Sequence, residues 1–156
     1  MIEVAGATSG TVVIDLLPDV APLHVAQITA LAASGAYDGV VFHRVIDGFM
    51  AQTGDVQYGL AGGDTAMAGM GGSDMAELPS EFSAISFQRG IVGMARSSDP
   101  DSANSQFFIM FAPGEFLDGQ YTVVGRVISG MEVVDAIAKG EPPASPDRMA
   151  KVTVAP

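Results

Sequence analysis

The sequence contains no cysteine and no tryptophan, and only two of its 156 residues are lysines. The absence of cysteine excludes disulfides, thiolate nucleophiles and cysteine-based zinc sites. Seven basic residues face 18 acidic ones, which gives a net charge of −11. Because phosphate groups are bound by clustered lysine and arginine, this charge argues against a nucleic-acid partner and against docking on anionic lipid.

A long hydrophobic run is also lacking. The longest stretch without a charged residue covers residues 20–37, and its proline, histidine, glutamine and hydroxyl side chains make it too polar to cross a bilayer. The N-terminus carries Glu3 and no basic segment, so no signal peptide is visible. We therefore expect a cytoplasmic protein with no membrane partner, the alternative being a periplasmic form whose signal has been removed.

What the chain does contain favours β-structure. Its 17 valines and nine isoleucines outnumber its seven leucines, and β-branched side chains fit a pleated sheet better than a helix. Nineteen glycines and nine prolines indicate many turns. A length of 156 residues and 48% apolar composition predict one domain, residues 1–156, with a packed core.

Local patterns predict several strands and two helices. Apolar residues at helical spacing between Pro22 and Gly35 indicate a first helix, and residues 131–138 indicate a second one before Gly140. Many short strands with only two helices predict a barrel or a sandwich. The strands are expected at residues 11–17, 40–46, 49–52, 91–95, 106–110, 123–128 and 151–154.

Familiar catalytic patterns are weak or missing. The glycine-rich residues 59–73 predict a long mobile loop and lack the Lys-Ser/Thr of a phosphate-binding loop, and no G-x-S-x-G is present. His24 and His43 show no metal-ligand spacing, so structural roles are expected for both. Glu77 and Glu81 flank a proline and are interpreted as solvated charges. We expect no metal and no cofactor.

Two strand segments are unusual. Arg44 lies inside the apolar strand 40–46, where a long cation either extends its head into solvent or serves a site. Residues 105–110 (S-Q-F-F-I-M) crowd polar and aromatic side chains onto one strand, which a barrel core alone would also explain. Taken separately, each segment is interpreted more simply as structural: Arg44 as a cation that extends into solvent and residues 105–110 as barrel core.

Taken together, the two segments resemble the cyclophilin family of peptidyl-prolyl isomerases. The matching stretches are residues 42–55 (F-H-R-V-I-D-G-F-M-A-Q-T-G-D), 90–108 with M-A-R and S-Q-F-F, 116–119 (F-L-D-G) and 124–131 (V-G-R-V-I-S-G-M). These stretches occur in the same order as in the family, and the resemblance covers nearly the whole chain. The M-A-R form resembles that of bacterial members of the family. The resemblance implies a closed eight-stranded antiparallel β-barrel capped by two α-helices.

The resemblance also implies a site on the outer face of the barrel. By matched position Arg44 would be the catalytic residue. The proline pocket would be formed by Phe49, Met50, Phe108 and Leu117. The substrate backbone would be held by Gln52, Ala95, Arg96 and Gln106, and the rim would be completed by Phe116 and Tyr121.

Three of these positions differ from the better-known eukaryotic pattern: Arg96 replaces a common Asn, Phe116 a frequent Trp and Tyr121 a frequent His. The tryptophan donates a hydrogen bond to cyclosporin in members that this drug blocks, so Phe116 implies weak cyclosporin binding. Residues 56–76 match poorly. One conflict arises within the motif, because a two-residue turn at Asp47-Gly48 would pair Ile46 with Phe49 and turn Met50 and Gln52 away from Arg44.

The implied activity is rotation of Xaa-Pro bonds in proline-containing and partly folded polypeptides, which assists folding without a covalent step. A guanidinium suits this reaction because it always carries its protons and can donate to the imide nitrogen. The alternative is a non-catalytic module that only binds proline-containing segments, and such a module has no need of Arg44. A monomer is expected.

Overall fold

The computed structural model describes residues 1–155, and these form nine short strands. Most lie where the apolar patterns predict them, with ends shifted by a few residues. Residues 40–46 are split into two strands, and β1 and the early start of β9 were not predicted. The strands are β1 (Ile2–Ala5), β2 (Gly10–Leu16), β3 (Val40–Val41), β4 (Arg44–Ile46), β5 (Met50–Thr53), β6 (Ile91–Met94), β7 (Phe107–Met110), β8 (Val123–Ser129) and β9 (Arg148–Val152).

Two α-helices and one 3-10 turn accompany the strands. Helix α1 (Pro22–Ala33) begins with proline at its first turn, as the sequence predicts, and buries Val25, Ile28 and Leu31. Helix α2 (Met131–Asp135) is shorter than the predicted residues 131–138. The 3-10 turn Glu115–Leu117 buries Leu117. Within residues 1–155 no helix combines the length and the hydrophobicity that a membrane crossing requires.

All nine strands join one curled antiparallel sheet, in the order β3-β9-β1-β2-β8-β6-β7-β5-β4. The predicted mainly β fold with two α-helices is confirmed, but the sheet is a curled half-barrel, and no closed barrel of eight strands is seen among residues 1–155. The predicted strand 40–46 breaks at Phe42-His43, because its first half pairs with β9 and its second half with β5. The two edge strands of the sheet are therefore joined by chain, and within residues 1–155 no ladder connects them.

Alternation along the central strands separates two apolar clusters. Ala51, Phe107 and Ile109 belong to the main core, which α1 and α2 also enter. Met50, Phe108 and Met110 point to the opposite face and form a smaller cluster with Phe87, Leu117 and Val123. Because successive strand residues face opposite sides, the motif strands supply both the core and an apolar outer surface.

The first turn of α1 is capped by a residue from a distant loop. Glu81 accepts hydrogen bonds from the backbone N–H groups of Leu23 and His24 and contacts the His24 ring at Nδ1. The interpretation of Glu81 as a solvated charge was therefore wrong. Burial opposes ionisation of this carboxyl, but the hydrogen bonds from His24 and Leu23 outweigh it and lower its pKa. His24 is fully buried in this structural role.

Candidate active site

Strand register places the candidate residues in a row across the outer face of the sheet. Arg44 of β4 pairs with Gln52 of β5, and Gln52 pairs with Phe108 of β7. The two-residue turn that would have turned Met50 and Gln52 away from Arg44 does not form, because Ile46 pairs with Met50 and the connection has three residues, with Gly48 in the left-handed region at φ 73°. The longer turn brings Met50 and Gln52 to the same face as Arg44, which resolves the conflict in the sequence prediction.

A cavity of about 640 Å³ lies over this row of residues. Its lining combines residues of the motif strands with five residues of the glycine-rich loop: Thr65, Ala66, Ala68, Gly69 and Met70. Nine of the predicted site residues line it: Arg44, Phe49, Met50, Gln52, Ala95, Arg96, Phe108, Leu117 and Tyr121.

The other two predicted residues lie close by. Gln106 lines a second cavity of about 480 Å³, which also touches Gln52, Ala95 and Arg96. Phe116 is 71% exposed, and its ring lies 5.6 Å from the ring of Phe49 at the edge of the first cavity. The structure therefore brings all the predicted side chains into one region, with Phe116 outermost.

Phe108 forms the apolar floor of the larger cavity. It is 5% exposed, stacks on Phe87 at 5.7 Å between ring centroids and meets Tyr121 edge-on at 5.8 Å. Gly93 makes this packing possible, since a Cβ there would lie 2.6 Å from the Phe87 ring and 2.7 Å from that of Phe108. Leu117 and Met50 fill the sides of the floor.

A chain of hydrogen bonds runs from Arg44 along the polar side of the cavity. The Arg44 side chain is 45% exposed, and its Nη1 lies 3.5 Å from Gln52 Oε1. Gln52 Nε2 donates to Gln106 Oε1 at 2.9 Å. Gln106 Nε2 in turn donates to the carbonyls of Gly69 and Gly71. The guanidinium is thus held through two amides against the glycine-rich loop.

A buried carboxylate fixes that loop. Asp55 is fully buried, and its Oδ2 accepts the backbone N–H groups of Gly69 at 2.8 Å and Gly71 at 3.0 Å. Its Oδ1 accepts those of Gln57 and Tyr58. The predicted mobile loop is therefore anchored along its second half, next to the cavity. Sequence reasoning gave Asp55 no role, although it closes the motif Q-T-G-D.

We expect Asp55→Asn to lower the free energy of unfolding by about 3 kcal/mol. In either orientation the amide turns an NH₂ group toward two of the four N–H donors, and an unsatisfied buried group costs about 1–3 kcal/mol. Urea denaturation would measure the change, with Asp64→Asn as the control because Asp64 accepts one N–H bond on an exposed part of the same loop. Equal stability of the two variants would contradict the anchoring role.

The Arg96 side chain donates hydrogen bonds to backbone carbonyls of the protein itself. Nε and Nη2 donate to the carbonyl of Gln120 at 3.0 and 2.8 Å, and Nη1 donates to that of Ser97. The guanidinium carbon lies 4.5 Å from the centre of the Tyr121 ring, a cation–π geometry. In the structure the side chain therefore packs on Tyr121, and Arg96 lines the cavity together with it.

His43 lies beside Arg44 and lines the cavity, which its expected structural role did not include. The side chain is buried, neither ring nitrogen has a hydrogen-bond partner among residues 1–155, and Gly69 packs closely on the ring. Burial lowers the pKa of His43 and outweighs the opposing field of Asp55, so the ring is neutral at pH 7. In the described part of the chain, no three His, Asp or Glu residues cluster as metal ligands would.

Glu141 is the site residue that sequence reasoning missed most clearly. It lines the cavity together with Pro142, and Arg44 Nε donates to its Oε1 at 2.9 Å. The pair is separated by 97 residues along the chain. No local pattern indicates such a contact, because it depends on where the chain after α2 returns to the sheet.

Comparisons with known proteins identify relatives of this chain. A probable peptidyl-prolyl cis-trans isomerase of Brucella suis is 58% identical over 152 residues, which cover 93% of this chain and 78% of that protein. A peptidyl-prolyl cis-trans isomerase of Arabidopsis thaliana is 37% identical over 150 residues, covering 93% of this chain and 90% of the relative.

A solved structure shares the fold. The crystal structure of a Cryptosporidium parvum cyclophilin type peptidyl-prolyl cis-trans isomerase, in the presence of the dipeptide Ala-Pro, has a TM-score of 0.83 and 25% identity. The match covers 99% of this chain and 97% of that one. The family model described as cyclophilin type peptidyl-prolyl cis-trans isomerase/CLD matches residues 1–154. With nearly the whole chain matched, this protein belongs to the cyclophilin-type peptidyl-prolyl cis-trans isomerase family.

Proposed function

We propose that this protein catalyses cis–trans isomerisation of Xaa-Pro bonds in polypeptides, with Arg44 as the catalytic donor above an apolar proline pocket. The observation that carries the proposal is the row formed by Arg44, Gln52 and Phe108, which places a guanidinium beside a buried aromatic floor. Family membership supports the reaction, and the Ala-Pro dipeptide in the Cryptosporidium crystal supports a proline-containing ligand.

The reaction needs a lower rotational barrier and no bond cleavage. The C–N bond resists rotation by about 18–20 kcal/mol because the nitrogen lone pair is delocalised into the carbonyl. Before proline the trans and cis forms differ by only about 0.5–1 kcal/mol, but their exchange takes roughly tens to hundreds of seconds. At the twisted transition state the lone pair returns to the imide nitrogen. A donor directed at that nitrogen therefore binds the transition state in preference to the planar ground state.

Arg44 has the chemistry for this role. Its guanidinium is always protonated and presents five N–H donors in a fixed plane. Two of its nitrogens face Glu141 and Gln52, which leaves the Nη2 hydrogens without an acceptor among residues 1–155. In this proposal one of those free hydrogens is donated to the imide nitrogen as the bond twists.

The apolar floor would hold the proline ring while the carbonyl side rotates. Phe49, Met50, Phe108 and Leu117 form an apolar part of the cavity lining, on which a pyrrolidine ring would rest and from which it would displace water. Exclusion of water lowers the local dielectric and strengthens the bond from Arg44. The substrate backbone would lie along Gln52, Gln106 and the backbone at Ala95 and Arg96, where the two cavities meet.

A protease-coupled isomerisation assay on a proline peptide tests this function. The proposal predicts that wild-type protein accelerates cis-to-trans conversion in proportion to its concentration. Binding of the peptide without acceleration would instead identify a module that only holds proline-containing segments. A cytoplasmic location, a monomeric state and assistance to folding polypeptides stay predictions from the sequence.

The rim residue Phe116 leads to a prediction about cyclosporin. Its ring keeps apolar contact with Phe49 but offers no donor, so a drug carbonyl that binds an indole N–H elsewhere in the family has no partner here. An unmade bond of this kind costs about 1–3 kcal/mol, or roughly ten- to a hundredfold in affinity. We expect weak inhibition of wild type and a gain of roughly that size in Phe116→Trp.

Inhibition curves on one peptide substrate would measure this difference. Phe82→Trp is a suitable control, because Phe82 is also exposed but lines neither cavity at the site. Peptide turnover should change little in either variant. Tight inhibition of wild type, or equal inhibition of both tryptophan variants, would show that position 116 does not contact the drug.

A further inference from the structure

We infer that Glu141 is a positioning residue for the reaction, which orients the guanidinium of Arg44 toward the reacting bond. This inference rests on the proposed function, because it assigns Glu141 a role that acts only through Arg44. The direct observation is the hydrogen bond from Arg44 Nε to Glu141 Oε1 at 2.9 Å, inside the lining of the larger cavity.

Backbone pairing positions the Glu141 carboxylate beside Arg44. Gly140, the residue before Glu141, exchanges two backbone hydrogen bonds of 2.8 Å with Val45, the residue after Arg44. Gly140 adopts φ 144°, and a Cβ there would lie 2.6 Å from Pro143. Only glycine fits this approach without strain. This pair of backbone hydrogen bonds lies one residue from Glu141 and one residue from Arg44. It therefore sets the two side chains next to each other.

The carboxylate completes a clamp on the guanidinium. Gln52 faces Nη1 from the floor of the cavity, and Gln106 fixes Gln52 in turn. Glu141 accepts the hydrogen bond from Nε at 2.9 Å. Because guanidinium is planar, contacts at Nε and Nη1 define the direction of the remaining Nη2 hydrogens. These hydrogens are the ones that the proposed reaction uses.

A second arginine–carboxylate pair gives a comparison within the same protein. Arg89 and Asp135 form two hydrogen bonds of 2.7 and 2.6 Å, with side chains 49% and 42% exposed. Arg44 and Glu141 are exposed to a similar degree, 45% and 55%. The Arg89 pair lines neither cavity at the site. If Glu141 only contributed an ordinary surface ion pair, removing it would affect the protein no more than removing Asp135.

The expected effect falls on kcat. A half-exposed arginine that has lost its clamp samples many rotamers, and ordering it again at the transition state slows the reaction by roughly five- to tenfold. Substrate binding depends on the apolar floor and should not change. We therefore expect Glu141→Ala to lower kcat five- to tenfold with KM within twofold of wild type. Glu141→Gln keeps an acceptor for Nε and should recover most of the loss.

The test is steady-state kinetics on one proline peptide for Glu141→Ala, Glu141→Gln and the control Asp135→Ala, with circular dichroism of each. Asp135→Ala should match wild type in both kcat and KM. Unchanged or higher kcat in Glu141→Ala would overturn the inference. So would a change confined to KM, because it would mean that Glu141 contacts the substrate directly.

A double variant separates this inference from the function on which it rests. In the Arg44→Ala background, Glu141→Ala should cause no further loss, because the residue through which it acts is gone. A further five- to tenfold loss there would overturn the positioning role and leave the role of Arg44 intact. Wild-type turnover in Arg44→Ala alone would overturn both the catalytic role of Arg44 and the positioning role of Glu141. That outcome requires no substitution at Glu141, so it is distinguishable from a failure of the positioning role alone.

Discussion

Arg44→Ala is expected to lower kcat/KM for a proline peptide by about a hundredfold or more while the fold stays intact. Removal of one preorganised donor to a transition state costs about 10²–10³ in rate. The side chain is 45% exposed and its ion pair with Glu141 lies at the surface, so its contribution to stability is small. Arg44→Lys should recover little, because a rotating and more strongly hydrated ammonium cannot reproduce the planar donor set.

The protease-coupled rate, with circular dichroism of each variant, would measure this loss. Arg126→Ala is the matched control, since Arg126 is also an exposed strand arginine with a carboxylate partner, Asp15, and lines neither cavity at the site. Arg126→Ala should turn over substrate like wild type. Equal rates for Arg44→Ala and Arg126→Ala would remove Arg44 from the mechanism.

Phe108→Ala is expected to reduce both stability and peptide binding. The side chain is 5% exposed and packs on Phe87 and Tyr121, and a buried Phe→Ala change costs about 3–5 kcal/mol of unfolding free energy. The same change removes the floor on which the proline ring would rest. The loss of apolar contact corresponds to about 1–3 kcal/mol of binding, or roughly ten- to a hundredfold in affinity.

The neighbouring Phe107 separates these two effects. It is 4% exposed, so its truncation should cost similar stability, but its side chain points into the main core against Tyr37. Peptide titrations at a temperature where both alanine variants stay folded should show weak binding only for Phe108→Ala. If Phe107→Ala and Phe108→Ala bind peptide equally well, Phe108 belongs to the packing of the sheet and not to the site.

The sequence predicted the positions of the strands that carry the site better than it predicted how the strands pair. Apolar runs gave β2, β5, β6, β7 and β8 nearly in place, because a buried strand leaves a continuous hydrophobic signal. The break at Phe42-His43 left no such signal, since no glycine or proline marks it and apolar residues continue after His43 and Arg44. It arises from pairing with two different strands, β9 and β5, which no local pattern encodes.

The site residues divide in the same way, into those that local motifs predict and those that depend on contacts between distant parts of the chain. Arg44, Gln52 and Phe108 stand in motif stretches that the resemblance identifies, and strand register then brings them together. Glu141 reaches Arg44 across 97 residues of chain, and Glu81 reaches the start of α1 from 57 residues away. Contacts of this kind follow from the tertiary fold, so single-sequence patterns cannot assign them.

Exchange NMR on a proline peptide, with wild type and Arg44→Ala compared in matched samples, tests the central claim most directly. The experiment reports the Kd of the peptide and its cis–trans exchange rate together, so it separates binding from catalysis. We predict that Arg44→Ala keeps the wild-type Kd within a few-fold and loses about a hundredfold or more of the catalysed exchange. Wild-type exchange in Arg44→Ala at equal occupancy would contradict the account.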